Sequence, residues 1–257
     1  MFWHGSPLSR MERLSLSSFV QNGHPVELYV YEEPPGVPAG VRLMAAAEIL
    51  PREALFKHRR RQSFAMFADW FRYRLLFERG GIWADADMVC LQPFEYPSAE
   101  VFAWQDDKWI NNAVLGLRAG DALAGWLADC CERPNRMLPY DDFDIRLRKL
   151  LRFVKRQGRD AMKWGETGPY GFTNAAHHLG YVERALPSWH FYPIAYEDYR
   201  VLFESPADGR DLSFRGSRAV HLWNHVIEYG RALDKNRRFP ADSPFEQLWL
   251  RYMGSAD

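Results

Sequence analysis

Two aspartates one residue apart, Asp85 and Asp87, close the run Gly80-Gly81-Ile82-Trp83-Ala84-Asp85-Ala86-Asp87. Carboxylates placed at the end of an apolar segment are costly to bury as ions unless a positive charge compensates them, and a divalent cation is the natural compensator. On an extended backbone, side chains two apart share a face, so both can address one ion directly or through water. Magnesium and manganese favour such oxygen ligands and commonly complete their shell with substrate phosphates. Taken alone, the D-x-D pattern reads first as a solvated turn.

Its neighbours narrow the choice. Asp69 and Arg72 stand three apart on what reads as a helix, and Gly80-Gly81 reverses the chain so that the aspartates return beside that helix. A carboxylate and an arginine placed there could flank a sugar phosphate, while an exposed ion pair is the other reading. Asp85-Ala86-Asp87-Met88-Val89 also satisfies the D-x-D-x-[T/V] nucleophile pattern of haloacid-dehalogenase-type phosphatases. That motif normally lies near the chain start, however, and Gly120-Asp121 lacks the last aspartate of a G-D-x-x-x-D metal segment. His221 and His225 are four apart, as in a zinc hydrolase, but Leu222 stands where the glutamate base is required. A sugar-binding module without catalysis would use the aromatic residues, 15% of the chain, as carbohydrate platforms.

The elements that would position these residues follow from periodicity. Phe2-Trp3 reads as a strand, Ser6 to Asn22 as a helix stopped by Gly23, and Val26 to Tyr31 as an alternating strand. Phe64, Phe67, Ala68, Phe71 and Leu75 recur at three and four residues, predicting a helix over Ser63 to Arg79. A buried strand is expected from Ile82 to Leu91, carrying both aspartates, then strands at Val101 to Trp104 and Asn112 to Leu117. Asp121 to Arg156 reads as helical, interrupted at Arg133-Pro134-Asn135. A short helix ending at Leu179, strands near Ser188 to Tyr192 and Arg218 to Trp223, and a helix from Pro244 to Tyr252 complete the chain. Strands alternating with helices predict an α/β protein with helices on both faces of its sheet.

Composition bounds the function. The 257 residues contain 33 Lys plus Arg and 33 Asp plus Glu, so no net field marks a nucleic-acid binder. The run Lys57-His58-Arg59-Arg60-Arg61 could meet phosphates or an anionic membrane, or simply form a solvated loop. Three cysteines without C-x-x-C spacing fit a reducing compartment and neither a disulfide framework nor a cysteine zinc site. With no leader-like start and no apolar run near the ~18 residues of a membrane helix, the expectation is a cytoplasmic protein, with a place at a membrane surface left open by the basic run.

The stretch FADWFRYRLLFERGGIWADAD resembles the signature D-x-x-R-Y-x-x-L-x-x-x-G-G-x-Y-x-D-x-D of glycosyltransferase family 32 and its relatives. It matches at Asp69, Arg72, Tyr73, Leu76, Gly80, Gly81, Asp85 and Asp87, with Trp83 where tyrosine is usual. Phe2-Trp3-His4-Gly5 is similar to the family's opening I-W-x-G, Asn111-Asn112-Ala113 to its asparagine segment, Thr167-Gly168-Pro169 with Thr173 to its G-P-x-x-x-T loop, and His221-Leu222-Trp223-Asn224 to its late H-x-W segment.

The resemblance implies a GT-A-type, Rossmann-like mixed sheet in one domain, with a mainly helical acceptor-side insertion at about 121–163. It implies a retaining transferase that moves sugar from a nucleoside-diphosphate donor, usually uridine-linked, to a hydroxyl of a glycan or glycolipid acceptor. Asp85 and Asp87 would hold Mn2+ or Mg2+ against the diphosphate, joined by His221 and Asn224. Trp3, Asp69, Arg72, Asn112 and Trp223 would contact the donor, and Asp69, Arg72 and Asp87 would carry the catalytic demand. Trp3 and His221 read equally as core residues. Asp106, Asp107 and Glu166 stay open as nucleophiles for a covalent route, beside same-face attack assisted by the leaving group.

Overall fold

The computed structural model describes residues 1–5, 7–207, 212, 214, 216–224 and 234–254. The first helix, α1 (Arg10–Gln21), begins later than its apolar pattern suggests, because Ser9 and Glu12 form a reciprocal capping box at its start. Ser6 and His225, both singled out in the sequence, lie outside the described residues.

Strands β1 (Phe2–Trp3), β2 (Val26–Val30) and β3 (Val41–Ala45) pair in parallel, in that order. A second sheet runs antiparallel in the order β4 (Gly81–Ala84), β7 (Ile110–Leu117), β6 (Val101–Trp104). A third pairs β5 (Met88–Cys90) antiparallel with β8 (Ala219–His221).

Side-chain alternation along these strands feeds two cores. Leu28, Val30, Ala84, Val101, Ala103, Ala113 and Val114 join one, against α1 and the C-terminal helix α6 (Pro244–Met253). Phe2, Tyr29, Trp83, Phe102, Ile110, Leu115 and Leu117 join the other, against α2 (Ala65–Arg79), α3 (Ala122–Glu132) and α5 (Pro169–Leu179). The protein is thus mixed α/β with helices on both faces of its strands, as the sequence predicts.

Three expectations are corrected. The single strand expected over Ile82 to Leu91 is two strands, β4 and β5, with Asp85 to Asp87 in the turn between them; the Met88 N–H donates to the Asp85 carbonyl at 3.0 Å. Asp85 and Asp87 therefore do not share a strand face. Ser188–His190 is a short 3-10 turn rather than a strand, started by Pro187 and closed by the Tyr192 N–H on the Ser188 carbonyl at 2.7 Å. The helical middle is α3 and α4 (Phe143–Val154), each started by an aspartate side chain, Asp121 and Asp142, with a longer break between them than Arg133 to Asn135. Cys90, Cys130 and Cys131 are free thiols.

Candidate functional site

The site is built where α2, the β4–β5 turn, β7 and the end of β8 meet. Gly80 ends α2 at φ 67°, ψ −162°, a conformation open to glycine. A Cβ there would also stand 2.6 Å from the Ala119 backbone nitrogen. The chain is thereby turned back so that β4 delivers Asp85 to the face of α2.

Arg72, fully buried on that face, is the hub. Its Nη2 donates to Asp85 Oδ1 at 2.6 Å and lies 3.6 Å from Asp69 Oδ1, and its Nη1 donates to the Asn112 carbonyl on β7. Its guanidinium carbon sits 5.0 Å from the centre of the Trp83 ring, whose indole N–H donates to Asp85 Oδ1 at 2.7 Å. Trp83 is therefore more than a replacement for tyrosine, since it keeps a polar hydrogen on the same carboxylate. Asp69 and Arg72 are not the exposed ion pair that spacing alone allowed.

Asp69 accepts from Asn112 Nδ2 at 3.0 Å and from the Thr167 hydroxyl at 2.9 Å. Asn112 Nδ2 also donates to the Tyr73 hydroxyl at 2.7 Å, which donates to the Thr167 carbonyl at 2.6 Å. The separate motif pieces at 69–73, 111–113 and 167–173 thus close into one network, and Thr173 ties β7 down by accepting the Ile110 N–H at 2.9 Å.

On the other side of the turn, Asp87 Oδ2 accepts the Asn224 N–H at 2.9 Å and lies 3.2 Å from His221 Nε2. The intervening Trp223 holds φ 56°, an unusual conformation for a bulky side chain, and this turns the chain so that the Asn224 N–H faces Asp87. Trp223 is 1% exposed, and its indole N–H is spent on the Ile194 carbonyl at 3.1 Å. The expected donor contact at Trp223 is corrected on that ground: its ring packs against His221 with centres 4.1 Å apart and supports the site from behind. Trp3 is half-buried, packed on one core, with the Lys235 ammonium 5.8 Å from its ring centre.

Burial pushes the Asp85 carboxyl up to about 6; the charge of Asp87 adds to the rise, and Arg72 and the Trp83 N–H oppose it. Asp69 is raised by burial against the pull of Arg72, Thr167 and Asn112. For Arg72 burial favours the neutral form, yet Asp85 and Asp69 outweigh it and hold the guanidinium charged.

Among the described residues, three buried side-chain polar atoms have no hydrogen-bond partner: Arg72 Nε, His221 Nδ1 and Asn224 Oδ1. All belong to this site. A buried donor or acceptor left unmet costs about 1–3 kcal/mol, so three together mark a place prepared for a ligand. The Asn224 carbonyl oxygen with the two aspartates is a donor set suited to a hard divalent cation, and His221 turns its Nε2 toward Asp87, a nitrogen of the kind manganese accepts. Among the described residues no three His, Cys, Asp or Glu side chains gather around a metal-sized space. A cation here would therefore draw part of its shell from the amide of Asn224 and from a bound ligand.

Sequence reasoning missed the role of Tyr192, which is buried with its ring centre 5.8 Å from His221 and its hydroxyl accepting the Val114 N–H at 3.4 Å. Only its distance in the chain from β7 and β8 concealed it. Glu166, an open nucleophile candidate, is held by both terminal guanidinium nitrogens of Arg152, each at 2.8 Å, and accepts the Lys163 N–H. Asp106 is exposed and caps the turn before β7 by accepting the Lys108 and Trp109 N–H groups; Asp107 is exposed.

Comparison with known proteins agrees with the motifs. Residues 42–114 match the model of a glycosyltransferase sugar-binding region containing the DXD motif, and residues 157–242 match an α-1,4-glycosyltransferase conserved region. A human α-1,4-N-acetylglucosaminyltransferase is 25% identical over 179 residues, covering 65% of this chain and 44% of that protein. The chain thus spans less than half the length of this relative. Among solved structures, the PaToxG glycosyltransferase aligns with a TM-score of 0.46 at 13% identity, over 70% of this chain and 68% of that one. The resemblance drawn from the D-x-x-R-Y and D-x-D segments is borne out by the first model, which spans both, and the second spans the Thr167-Gly168-Pro169 and His221-Leu222-Trp223-Asn224 segments.

Proposed function

We propose that this chain, a relative of the DXD-containing glycosyltransferases, transfers a sugar from a nucleoside-diphosphate donor to an acceptor hydroxyl, using a divalent cation. The observation that carries this reading is the gathering around Asp85 and Asp87 of Arg72, His221 and Asn224, each of which also keeps one buried polar atom unmet. Arg72 Nε is a donor suited to a phosphate or sugar oxygen, and Asn224 Oδ1 is an acceptor suited to a cation or hydroxyl.

Asp85, Asp87, Asn224 and His221 are the residues that would hold Mn2+ or Mg2+, with manganese favoured by the imidazole. When bound, such an ion stabilises negative charge on a departing diphosphate. The protein's own part is positioning. Asp69, fixed by Thr167 and Asn112, presents a carboxylate to sugar hydroxyls, and Arg72 holds Asp85 in place while its buried Nε keeps a hydrogen unspent. Trp3, only half-buried, offers an aromatic surface for the donor base, for which uracil is proposed.

Retention by same-face attack is preferred to a covalent glycosyl enzyme. Glu166 is locked in its pair with Arg152, and Asp106 is engaged in capping a turn. A phosphatase would need Asp85 as an unencumbered nucleophile, whereas Arg72 and Trp83 both bind its Oδ1.

The test is a thermal-stability screen with UDP, GDP and their sugars, each with Mn2+, with Mg2+ and with chelator, followed by assay of nucleoside diphosphate and free sugar released. Metal-dependent stabilisation by UDP and slow release of sugar are expected. Stabilisation without any turnover would make the chain a binding relative, and no stabilisation across the panel would overturn the reading.

A further inference from the structure

The helix α4 is turned inside out. On a helix, residues spaced i, i+4, i+7, i+8 and i+11 share one face, and in α4 that face is Phe143, Leu147, Leu150, Leu151 and Val154. These side chains are 82%, 43%, 50%, 45% and 68% exposed. The opposite face, which packs on the protein, carries Ile145 with two buried cations, Lys149 and Arg152. Lys149 Nζ reaches both Asp141 oxygens at 2.9 and 2.7 Å, and Arg152 reaches both Glu166 oxygens at 2.8 Å and Asn135 Oδ1 at 2.9 Å.

Buried ions contribute little net stability even when paired, because desolvation offsets their attraction. The hydrophobic effect acting on this helix alone would rotate the leucines inward. Ion pairs hold it the other way, so among the described residues nothing covers this apolar surface.

The rim of that surface is cationic. Arg146, Arg148, Lys155 and Arg156 are exposed on α4 and just after it, against Asp142 and Asp144. Beyond α4, the basic loop 57–61, exposed except at His58, is fastened to the outgoing chain. Arg59 pairs with Asp160 at 2.9 Å, and His58 Nε2 lies 3.0 Å from the Met162 carbonyl. A leucine-rich stripe edged by guanidinium groups matches the acyl and headgroup layers of an anionic bilayer. A second copy of the chain would bring two cationic rims together. At 12 residues, about 18 Å long, α4 fits lying in the interface; among the described residues no helix is long and apolar enough to cross it.

We infer that α4 docks the protein on an anionic lipid surface, with the 57–61 loop adding headgroup contacts. The link to the site is short: Arg152 of α4 pairs with Glu166, and the next residue, Thr167, donates to Asp69. Resting on the proposed transferase reading, this geometry favours a lipid-anchored acceptor; docking itself needs no donor.

Vesicle flotation tests it without nucleotide or metal, comparing phosphatidylcholine alone with phosphatidylcholine plus phosphatidylglycerol. The wild-type chain should float with the mixed vesicles and release at high salt. The double substitution Leu150→Glu with Val154→Glu, at exposed positions, should weaken binding roughly tenfold or more while leaving thermal melting and release of donor sugar unchanged. Arg146→Gln with Lys155→Gln should flatten the salt dependence. Absence of flotation with either vesicle, unchanged binding by the double variant, or a wild-type dimer that the double variant returns to monomer would each overturn it. The last outcome would assign the face to self-association.

Discussion

Arg72 Nη2 and Asp85 Oδ1 lie 2.6 Å apart although a helix end, a glycine turn and a strand separate them in the chain. The same guanidinium holds the Asn112 carbonyl, so one side chain joins α2, β4 and β7. Lysine has neither the fork nor the reach to serve both. Arg72→Lys is expected to lower donor turnover about 100-fold or more, the scale of losing a preorganised donor, and stability by about 2 kcal/mol. Release of nucleoside diphosphate and a urea melt measure the two; near-wild-type turnover would remove Arg72 from the site's working parts.

Asn224 separates ligand binding from folding. Its backbone N–H on Asp87 survives substitution by alanine, while its unmet carbonyl oxygen is removed. Asn224→Ala should leave the ligand-free protein as stable as wild type or up to about 1 kcal/mol more stable, since an unsatisfied acceptor is lost. Manganese-dependent affinity for UDP should fall roughly tenfold, a typical scale for a metal-supporting contact. Titration calorimetry with and without the ion reads this; a less stable variant with unaltered metal-dependent binding would show a purely structural role.

Gly80 and Gly81 both have positive φ, at 67° and 99°, but differ in room. A Cβ on Gly80 meets the Ala119 backbone at 2.6 Å, and one on Gly81 meets nothing within 4 Å. Gly80→Ala should cost about 3 kcal/mol or more, combining strain with a backbone clash, and Gly81→Ala about 1–2 kcal/mol from strain alone. Denaturant midpoints of the two variants give the comparison, and an equal loss would contradict it.

Acid stability should depend on Glu246, which binds Arg10 through two contacts of 2.8 Å and joins α6 to α1. Burial pushes its carboxyl up, and hydrogen bonds from Arg10 and the Phe239 N–H outweigh this, leaving it below its ordinary 4.5. A carboxyl lowered on folding lends stability above its unfolded value and loses it as pH falls through the folded one. Glu246→Gln should therefore lower stability by about 2 kcal/mol at neutral pH, with the gap to wild type narrowing below about pH 4.5. Melting temperatures from pH 3 to 7 test this (a range chosen to span about two units around the carboxylates); a gap independent of pH would exclude the linkage.

The sequence revealed what local pattern controls. Phe67, Phe71 and Leu75 define α2, whose observed start is within two residues of the predicted one, and the acidic pair stands out through its neighbours. Two kinds of feature stayed hidden. Where local chemistry overrides periodicity, prediction failed: Asp85 to Asp87 form a turn inside an apparently continuous apolar strand, and β3, with its half-buried Val41, Leu43 and Met44, carries too weak an alternation to read. Where partners are distant, nothing local could tell. Lys149 and Arg152 look like the solvated face of α4 until Asp141 and Glu166 are seen to bury them. Trp223 looked like a ligand platform until Ile194 was found to occupy its N–H.

The two-sided burial of β7 fixes how the site can move. With Ala113 and Val114 in one core and Ile110, Leu115 and Leu117 in the other, this strand cannot fray without opening both. Its amides should exchange with solvent only through whole-molecule unfolding, and Asn112, which secures Asp69 and Arg72, shares that protection. Breathing motions that admit or release a ligand are therefore expected in the elements packed around β7 and not in that strand. One wall of the site stays fixed while the other yields.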